Sequence, residues 1–255
     1  MKYFKLIGIM SLLVFSFYLT DFVTELAINT NPLMQSIKNN SNNYCETSVN
    51  AIIDNNTIIP GIKGKKVNEM ESFLNMKDFG SFNVNYLIYD HFKPEISLED
   101  NYDKIIISGN KTLRQLTILI RDNVSIENYV KSKNIKYSKL IDIDDKLYTG
   151  ENINIENDKV SFNDLDLLLK KKSLNKYICI INYSNIEACK ENKYYLVDPS
   201  LSLKNNNFVN TLTNISNGSI ILIDDNLSLN NFKIFENKVL NSDIKFVYLS
   251  KIIEE

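Results

Sequence analysis

Four aspartates stand at or just beyond the ends of apolar, strand-like segments: Asp122, Asp198, Asp224 and Asp225. If the carboxyl ends of these strands share one edge of a sheet, the carboxylates converge. An all-oxygen site of that kind suits Mg²⁺, Ca²⁺ or Mn²⁺ better than Zn²⁺. Acidic residues in such positions also cap helices and end strands without binding anything. We favour this structural role and predict no cofactor, with a divalent metal at Asp122, Asp224 and Asp225 as the alternative.

The histidine and cysteine counts exclude several classes of site. His91 is the only histidine, so one chain cannot build a metal site with two or three histidines. Three cysteines are too few for a disulfide framework, and no two have the spacing of a thiolate metal site. Cys179 and Cys189 could pair and leave Cys45 free. The interpretation we favour instead makes Cys179 a small core residue of an apolar strand.

Apolar strands alternate with short helices along most of the chain, which predicts an α/β fold with a parallel sheet. The clearest predicted strands are 116–120, 177–181 and 219–223, and Phe246 to Leu249 closes the series. Asn68, Ser125 and Asn163 are predicted to begin helices as N-caps. A further strand is predicted over Tyr86 to Tyr89.

The N-terminus predicts a membrane anchor. No charge interrupts residues 6–19, and Lys2 and Lys5 precede the run while Asp21 and Glu25 follow it. That asymmetry predicts a single-pass protein with its N-terminus inside and its bulk outside the cytoplasm. A cleaved signal peptide and a buried helix of a soluble domain are the alternatives. The residues predicted to contact lipid are Leu6, Leu12, Leu13, Phe15, Phe17 and Leu19.

Composition divides the rest of the chain. We predict an anchor at 1–28, a flexible Asn-rich linker at 29–50, a small α+β module at 51–112 and a larger domain at 113–255. The formal net charge is -2, so no basic field marks the protein as a nucleic-acid binder.

The C-terminal segment is the most specific feature. Gly218 to Asp225 has the sequence GSIILIDD, and a helical stretch and then Ile244 to Ser250, IKFVYLS, follow it. These segments resemble the end of the polysaccharide deacetylase family, the NodB-like carbohydrate esterases. The resemblance covers about residues 55–255. It implies a shortened, distorted (β/α) barrel or open parallel sheet, preceded by the small module and the transmembrane helix.

That family hydrolyses amides with a divalent metal held by an Asp and two His, a second Asp as base and a later His as acid. On this sequence the base position falls on Arg121, which cannot accept a proton, and Asp122 matches the metal-binding Asp. The late acid position falls on Asp224, and Asp225 matches the Asp after it.

The metal histidines should lie within residues 148–160, where no histidine is present. Glu151, Asn154, Glu156 and Asp158 are the oxygen ligands nearby. No arginine occurs in 178–185, where the family's arginine motif is expected. The resemblance therefore implies a protein that has lost base, metal ligands and acid together.

Three functions stay open at this stage. The first is a catalytically inactive deacetylase-like domain on the cell surface that binds cell-wall glycan or an envelope protein, with Asp198, Tyr183 and Tyr195 as ligand-binding candidates. The second is an active hydrolase with an all-oxygen metal site. The third is a structural surface protein that interacts through the module at 51–112.

Overall fold

The computed structural model describes residues 2–255, except for the side chains of residues 2–7 and 9. In chain order the strands are β1 Ile52–Asp54, β2 Thr57–Ile59, β3 Gly64–Val67, β4 Tyr89–Phe92, β5 Ile105–Ile106, β6 Gln115–Ile120, β7 Ser138–Ile141, β8 Glu151–Asn154, β9 Ile178–Ile180, β10 Tyr195–Val197, β11 Leu201–Leu203, β12 Ile220–Ile223 and β13 Lys245–Phe246. The helices are α1 Lys2–Thr30, α2 Pro32–Ser41, α3 Glu69–Met76, α4 Val124–Ser132, α5 Lys159–Lys171, α6 Ile186–Glu191, α7 Phe208–Thr213, α8 Leu229–Asn241 and α9 Leu249–Ile252.

The chain forms two compact units, one of residues 1–48 and 63–92 and the other of residues 49–62 and 93–255. This division differs from the predicted linker and module, because the α+β segment at 51–112 is shared between the two units. In the first unit β3 and β4 pair antiparallel.

Residues 29–50 contain helix α2, where the composition predicts a flexible linker. The Asn31 side chain accepts the Leu33 N–H at 2.9 Å, and Pro32 takes the first helical position. Leu33, Met34 and Ile37 are buried against apolar side chains of α3 and its flanks. The Asn-rich composition hides these three apolar residues, whose helical spacing gives α2 a face to bury.

Helix α1 contains one stretch, Met10–Thr30, that is long and apolar enough to cross a membrane. A signal sequence near the N-terminus can meet the same criterion, so the stretch is consistent with either an anchor or a signal. Among the predicted lipid contacts, Leu12, Leu13, Phe15, Phe17 and Leu19 are exposed. The side chain of Leu6 lies outside the described residues.

The second unit holds two mainly parallel sheets, so the α/β prediction is confirmed. The first has the order β11-β12-β6-β7-β8, and β13 pairs with the start of β6. The second has the order β1-β2-β5-β10-β9, in which only β1 is antiparallel to its neighbour. Among the described strands the pairing leaves two open sheets, in agreement with the distorted or opened arrangement that the resemblance implies.

Side chains alternate between the two faces of each strand, and this alternation produces two apolar cores. On β6, Leu119 belongs to a cluster with Ile106 and Val197 of the other sheet, so the two sheets share one apolar interior. Ile118 and Ile120 point to the opposite face, where helices α4 and α8 cover them. Such strands, covered on both faces, are nearly continuous in apolar residues.

In the structure several helices and strands begin or end at residues other than those predicted from the sequence. Helix α4 is capped by Asn123 rather than Ser125, and α5 by Asp158 rather than Asn163. A 3-10 turn ends at Tyr86, and β4 begins at Tyr89, where one strand was predicted. The last predicted strand ends at Phe246, and α9 begins at Leu249.

Cys179 and Cys189 form a disulfide between β9 and α6, with their Cα atoms 6.3 Å apart. Both are fully buried, so Cys179 is a core residue as well as a paired one. Cys45 is free and exposed.

Candidate functional site

Strands β6, β7 and β12 are neighbours or near neighbours in one parallel sheet, so their carboxyl ends lie at one edge. They end at Ile120, Ile141 and Ile223, and aspartates follow each of them. This edge is the candidate site, because ligands of open α/β sheets bind beyond the carboxyl ends of the strands. We call it the acidic edge; its aspartates are Asp122, Asp142, Asp145, Asp224 and Asp225.

Arg121 and Asp122 form an ion pair at the acidic edge. Arg121 Nε lies 3.1 Å from Asp122 Oδ2, and both side chains are partly exposed. Burial raises the pKa of the Asp122 carboxyl, Arg121 opposes that rise, and the negative charges of Asp225, Asp145 and Asp142 add to it. The pKa of Asp122 therefore lies above its ordinary value, through burial first and the neighbouring carboxylates second.

The Asp224 carboxylate already contacts neighbouring groups of the protein. One carboxylate oxygen accepts the Asn226 N–H at 3.1 Å, and the other lies 3.9 Å from Lys204 Nζ. Asp225 is exposed, and it contributes to the edge through the repulsion that it exerts on Asp122. The three predicted metal candidates are thus held at one edge by neighbouring strands, with Asp224 acting as the turn residue that its alternative role predicts.

Asn123 connects two segments of the acidic edge, a role that the sequence does not predict. Its side-chain amide donates to the main-chain oxygens of Asp224 and Leu227 at 3.1 and 3.0 Å, and its side-chain oxygen accepts the Ile126 N–H. The side chain is nearly fully buried. An Asn between an apolar strand and a helix is a strong N-cap signal and could have identified it.

The candidate oxygen ligands within residues 148–160 all form hydrogen bonds to other groups of the protein. Glu151 accepts from the Ser138 hydroxyl at 2.7 Å and from the Ser250 N–H, and Asp158 caps α5 at Ser161. Asn154 donates to the Phe162 carbonyl oxygen at 2.9 Å. Glu156 accepts the Ile143 N–H at 2.7 Å.

The residues present do not fit the metal that the family resemblance implies. Within the described part of the chain, no three His, Cys, Asp or Glu side chains are grouped to hold a metal ion. Catalytic zinc sites have three protein ligands and an open position. Asp122 instead faces the guanidinium of Arg121.

The three ligand-binding candidates lie on the other sheet. Asp198 follows β10 and is exposed, while Tyr183 and Tyr195 are half-buried and pack against the shared interior. Burial raises the pKa of the Tyr195 hydroxyl most, and the negative charges of Glu99 and Glu255 raise it further. Both tyrosines thus pack against the core as well as reaching the surface.

Solved structures share this architecture. Wild-type BA3943 from Bacillus anthracis, a CE4 family pseudoenzyme, aligns over 88% of this chain and 95% of its own, with a TM-score of 0.55 and 15% identity. A BA3943 mutant with restored enzymatic activity aligns over 88% and 98%, with a TM-score of 0.57 and 16% identity.

The chain has the CE4 fold. The family resemblance of the C-terminal segment is therefore confirmed at the level of the fold, and at these identities the likeness extends no further. The CE4 fold explains why the ends of β6 and β12 meet: in this chain they are adjacent in register, with Ile120 opposite Ile223.

In sequence, the chain is 34% identical over 101 residues to the uncharacterized protein YlxY of Bacillus subtilis (strain 168). The matched part is 39% of this chain and 31% of YlxY, so it spans under a third of that relative's length. No protein-family model matches the chain.

Proposed function

We propose that this protein is a membrane-anchored, extracytoplasmic protein with a catalytically inactive CE4 fold that binds cell-envelope glycan or protein through its acidic edge. The observation that carries the proposal is the pair Arg121–Asp122. The base position of the fold holds a guanidinium, which stays protonated and cannot activate water.

The lost chemistry is not replaced nearby. The position that the resemblance assigns to the catalytic acid holds Asp224, which accepts a hydrogen bond within its own turn. Residues 148–160, where the metal-binding histidines are expected, supply oxygen side chains that already bond to other parts of the protein. BA3943 supports the proposal by analogy, because it too combines this fold with loss of activity.

Two features support an extracytoplasmic location. Disulfides persist in oxidising compartments and are rare in the cytosol, and Cys179–Cys189 is a buried disulfide. The apolar stretch of α1 can hold the chain at the membrane whose outer side provides that environment.

The binding test is co-sedimentation of the full-length chain in detergent with purified insoluble peptidoglycan. We expect saturable binding that Asp122→Asn combined with Asp225→Asn weakens at least fivefold. The matched control, Asp164→Asn with Asp243→Asn, removes the same charge from exposed positions away from the edge and should change little. Equal loss in both variants, or no saturable binding of the wild type, would contradict glycan binding and leave an envelope protein as the partner to seek.

A further inference from the structure

The outer face of the second sheet carries a groove of about 430 Å³. Ile105 of β5 and Leu196 of β10, which are register neighbours, form its floor, and Ile181 and Ile186 line it as well. Its volume lies within the range of about 300–1,000 Å³ that is usual for small-molecule sites. The groove is separate from the acidic edge.

The groove exists because the helices that cover the outer face of this sheet do not extend over β5. Phe162 of α5 and Ala188 of α6 pack with Cys179 and Leu196 and bury the outer face of β9 and β10. Ile105, on the next strand, stays only half-buried. Parallel strands with two apolar faces are normally covered on both, so the exposed strip along β5 is available to a ligand.

Positive charge is concentrated on the rim of the groove. Lys193 lies two residues before the start of β10, and Lys190 lies on α6. Neither lysine forms an ion pair with a described carboxylate. Lys193 Nζ lies 5.9 Å from the centre of the exposed Tyr102 ring. Asp103 is the one acidic lining residue, so the lining keeps a net positive charge.

We propose that this groove binds a small amphipathic anion. Its apolar part lies over the half-buried Ile105 and against the edge of Leu196, its register neighbour about 5 Å away across the strands. Its carboxylate or phosphate group lies at Lys190 and Lys193, whose ammonium groups supply charge and several N–H donors. Tyr102 closes the apolar part at the rim. This site does not depend on the function proposed for the acidic edge.

The test uses the full-length chain in lipid nanodiscs and the fluorescent probe 2-naphthoate, with empty nanodiscs as blank. Fluorescence anisotropy is expected to show saturable binding at least tenfold tighter than that of 2-naphthylmethylammonium, which has the same ring and the opposite charge. A parallel titration with 2-naphthyl phosphate identifies which anionic group the site prefers. If the cation binds as tightly as 2-naphthoate, or if 2-naphthoate does not bind, the proposal is overturned.

Charge-reversal variants locate the site. Lys190→Glu with Lys193→Glu should weaken 2-naphthoate binding at least tenfold, which corresponds to about 1.4 kcal/mol. The neutral variant Lys190→Gln with Lys193→Gln should fall between this and the wild type. Lys176→Glu with Lys245→Glu makes the same change in net charge at exposed lysines outside the groove lining and should leave the affinity within twofold. Equal weakening by the two charge-reversal pairs, with melting temperatures unchanged, would show a net-charge effect and overturn the assignment to the groove.

Discussion

Arg121 Nε lies 3.1 Å from Asp122 Oδ2, at the two positions where the family resemblance implies a carboxylate base beside a metal ligand. On that proposed match, Arg121 puts a permanent cation where the family has a proton acceptor. It also partly neutralises the acidic edge, where Asp225, Asp145 and Asp142 would otherwise act on Asp122 without opposition.

Removing Arg121 should make stability more dependent on pH. The folded-state pKa of Asp122 already lies above its ordinary value, through burial first and then its acidic neighbours, and Arg121→Gln removes the group that opposes this rise. A raised carboxyl pKa favours the folded state at low pH, and that advantage is lost as the pH rises through the folded pKa. We therefore expect Arg121→Gln to lose more thermal stability than the wild type between pH 4 and pH 7. In an Asp122→Asn background most of this difference should vanish; if it persists unchanged, Asp122 is not its source.

Glu127 should stabilise the fold at neutral pH through a partly buried network. Its Oε1 lies 2.7 Å from Lys131 Nζ and 3.1 Å from the Tyr137 hydroxyl oxygen. Burial raises the pKa of Glu127, but Lys131, Lys139 and Tyr137 outweigh burial and hold the pKa below its ordinary value. Glu127→Gln should cost about 1–2 kcal/mol of unfolding free energy at pH 7.

The pH profile of that loss separates charge from packing. A depressed carboxyl pKa stabilises the fold above the unfolded pKa, and this contribution is lost as the pH falls through the folded pKa. The difference between wild type and Glu127→Gln should therefore shrink below about pH 4, as measured by urea unfolding. Glu187→Gln, at an exposed ion pair with Lys159, should stay within about 0.5 kcal/mol at every pH. A constant Glu127→Gln deficit down to pH 3 would mean that packing, not charge, explains the loss.

The disulfide should contribute to the stability of the second unit. Cys179 and Cys189 are 10 residues apart in sequence, and a loop of that size gives about 2–3 kcal/mol in the chain-entropy account. Replacing both cysteines with alanine should lower the unfolding free energy by about this amount. Reductant should lower the stability of the wild type but leave that of the double variant unchanged, and an equal response of the two would refute the disulfide.

Cys45 gives a direct test of topology. It is free and exposed, it follows α2, and the predicted orientation places it outside the cytoplasm. A membrane-impermeant maleimide should label the full-length chain in intact spheroplasts, and Cys45→Ser should abolish the label. Labelling that appears only after permeabilisation would place the bulk of the chain inside.

The sequence predicts the buried strands of the CE4 fold well because their apolar runs have few alternatives. Residues 116–120 and 219–223 match β6 and β12 closely, and Asn68 caps α3 as predicted, with its side chain accepting the Glu71 N–H. Helix α2 was missed because three apolar residues in an Asn-rich segment acquire a face to bury only when α3 is present. The strand over residues 177–181 is predicted correctly. The pairing of its Cys179 with Cys189 depends on how α6 packs against the strand.

The candidate site was only partly predictable. Sequence placed Asp122, Asp224 and Asp225 at strand ends, and parallel pairing then brings those ends to one edge. It could not show that Asp224 bonds to its own turn or that Asn123 bridges two loops, because both depend on the path of the chain after β12. Nor could it predict the groove over β5, which results from where the helix cover ends.

We propose that this CE4 fold lacks deacetylase activity. The most direct measurement is acetate release from an N-acetylglucosamine hexamer by the full-length chain, with Zn²⁺, Mn²⁺ or Co²⁺ added in turn and an active family 4 carbohydrate esterase as positive control. We predict no release above the protein-free rate with any of the metals. Metal-dependent release that Asp122→Ala abolishes would contradict the claim and show that the acidic edge is an active site.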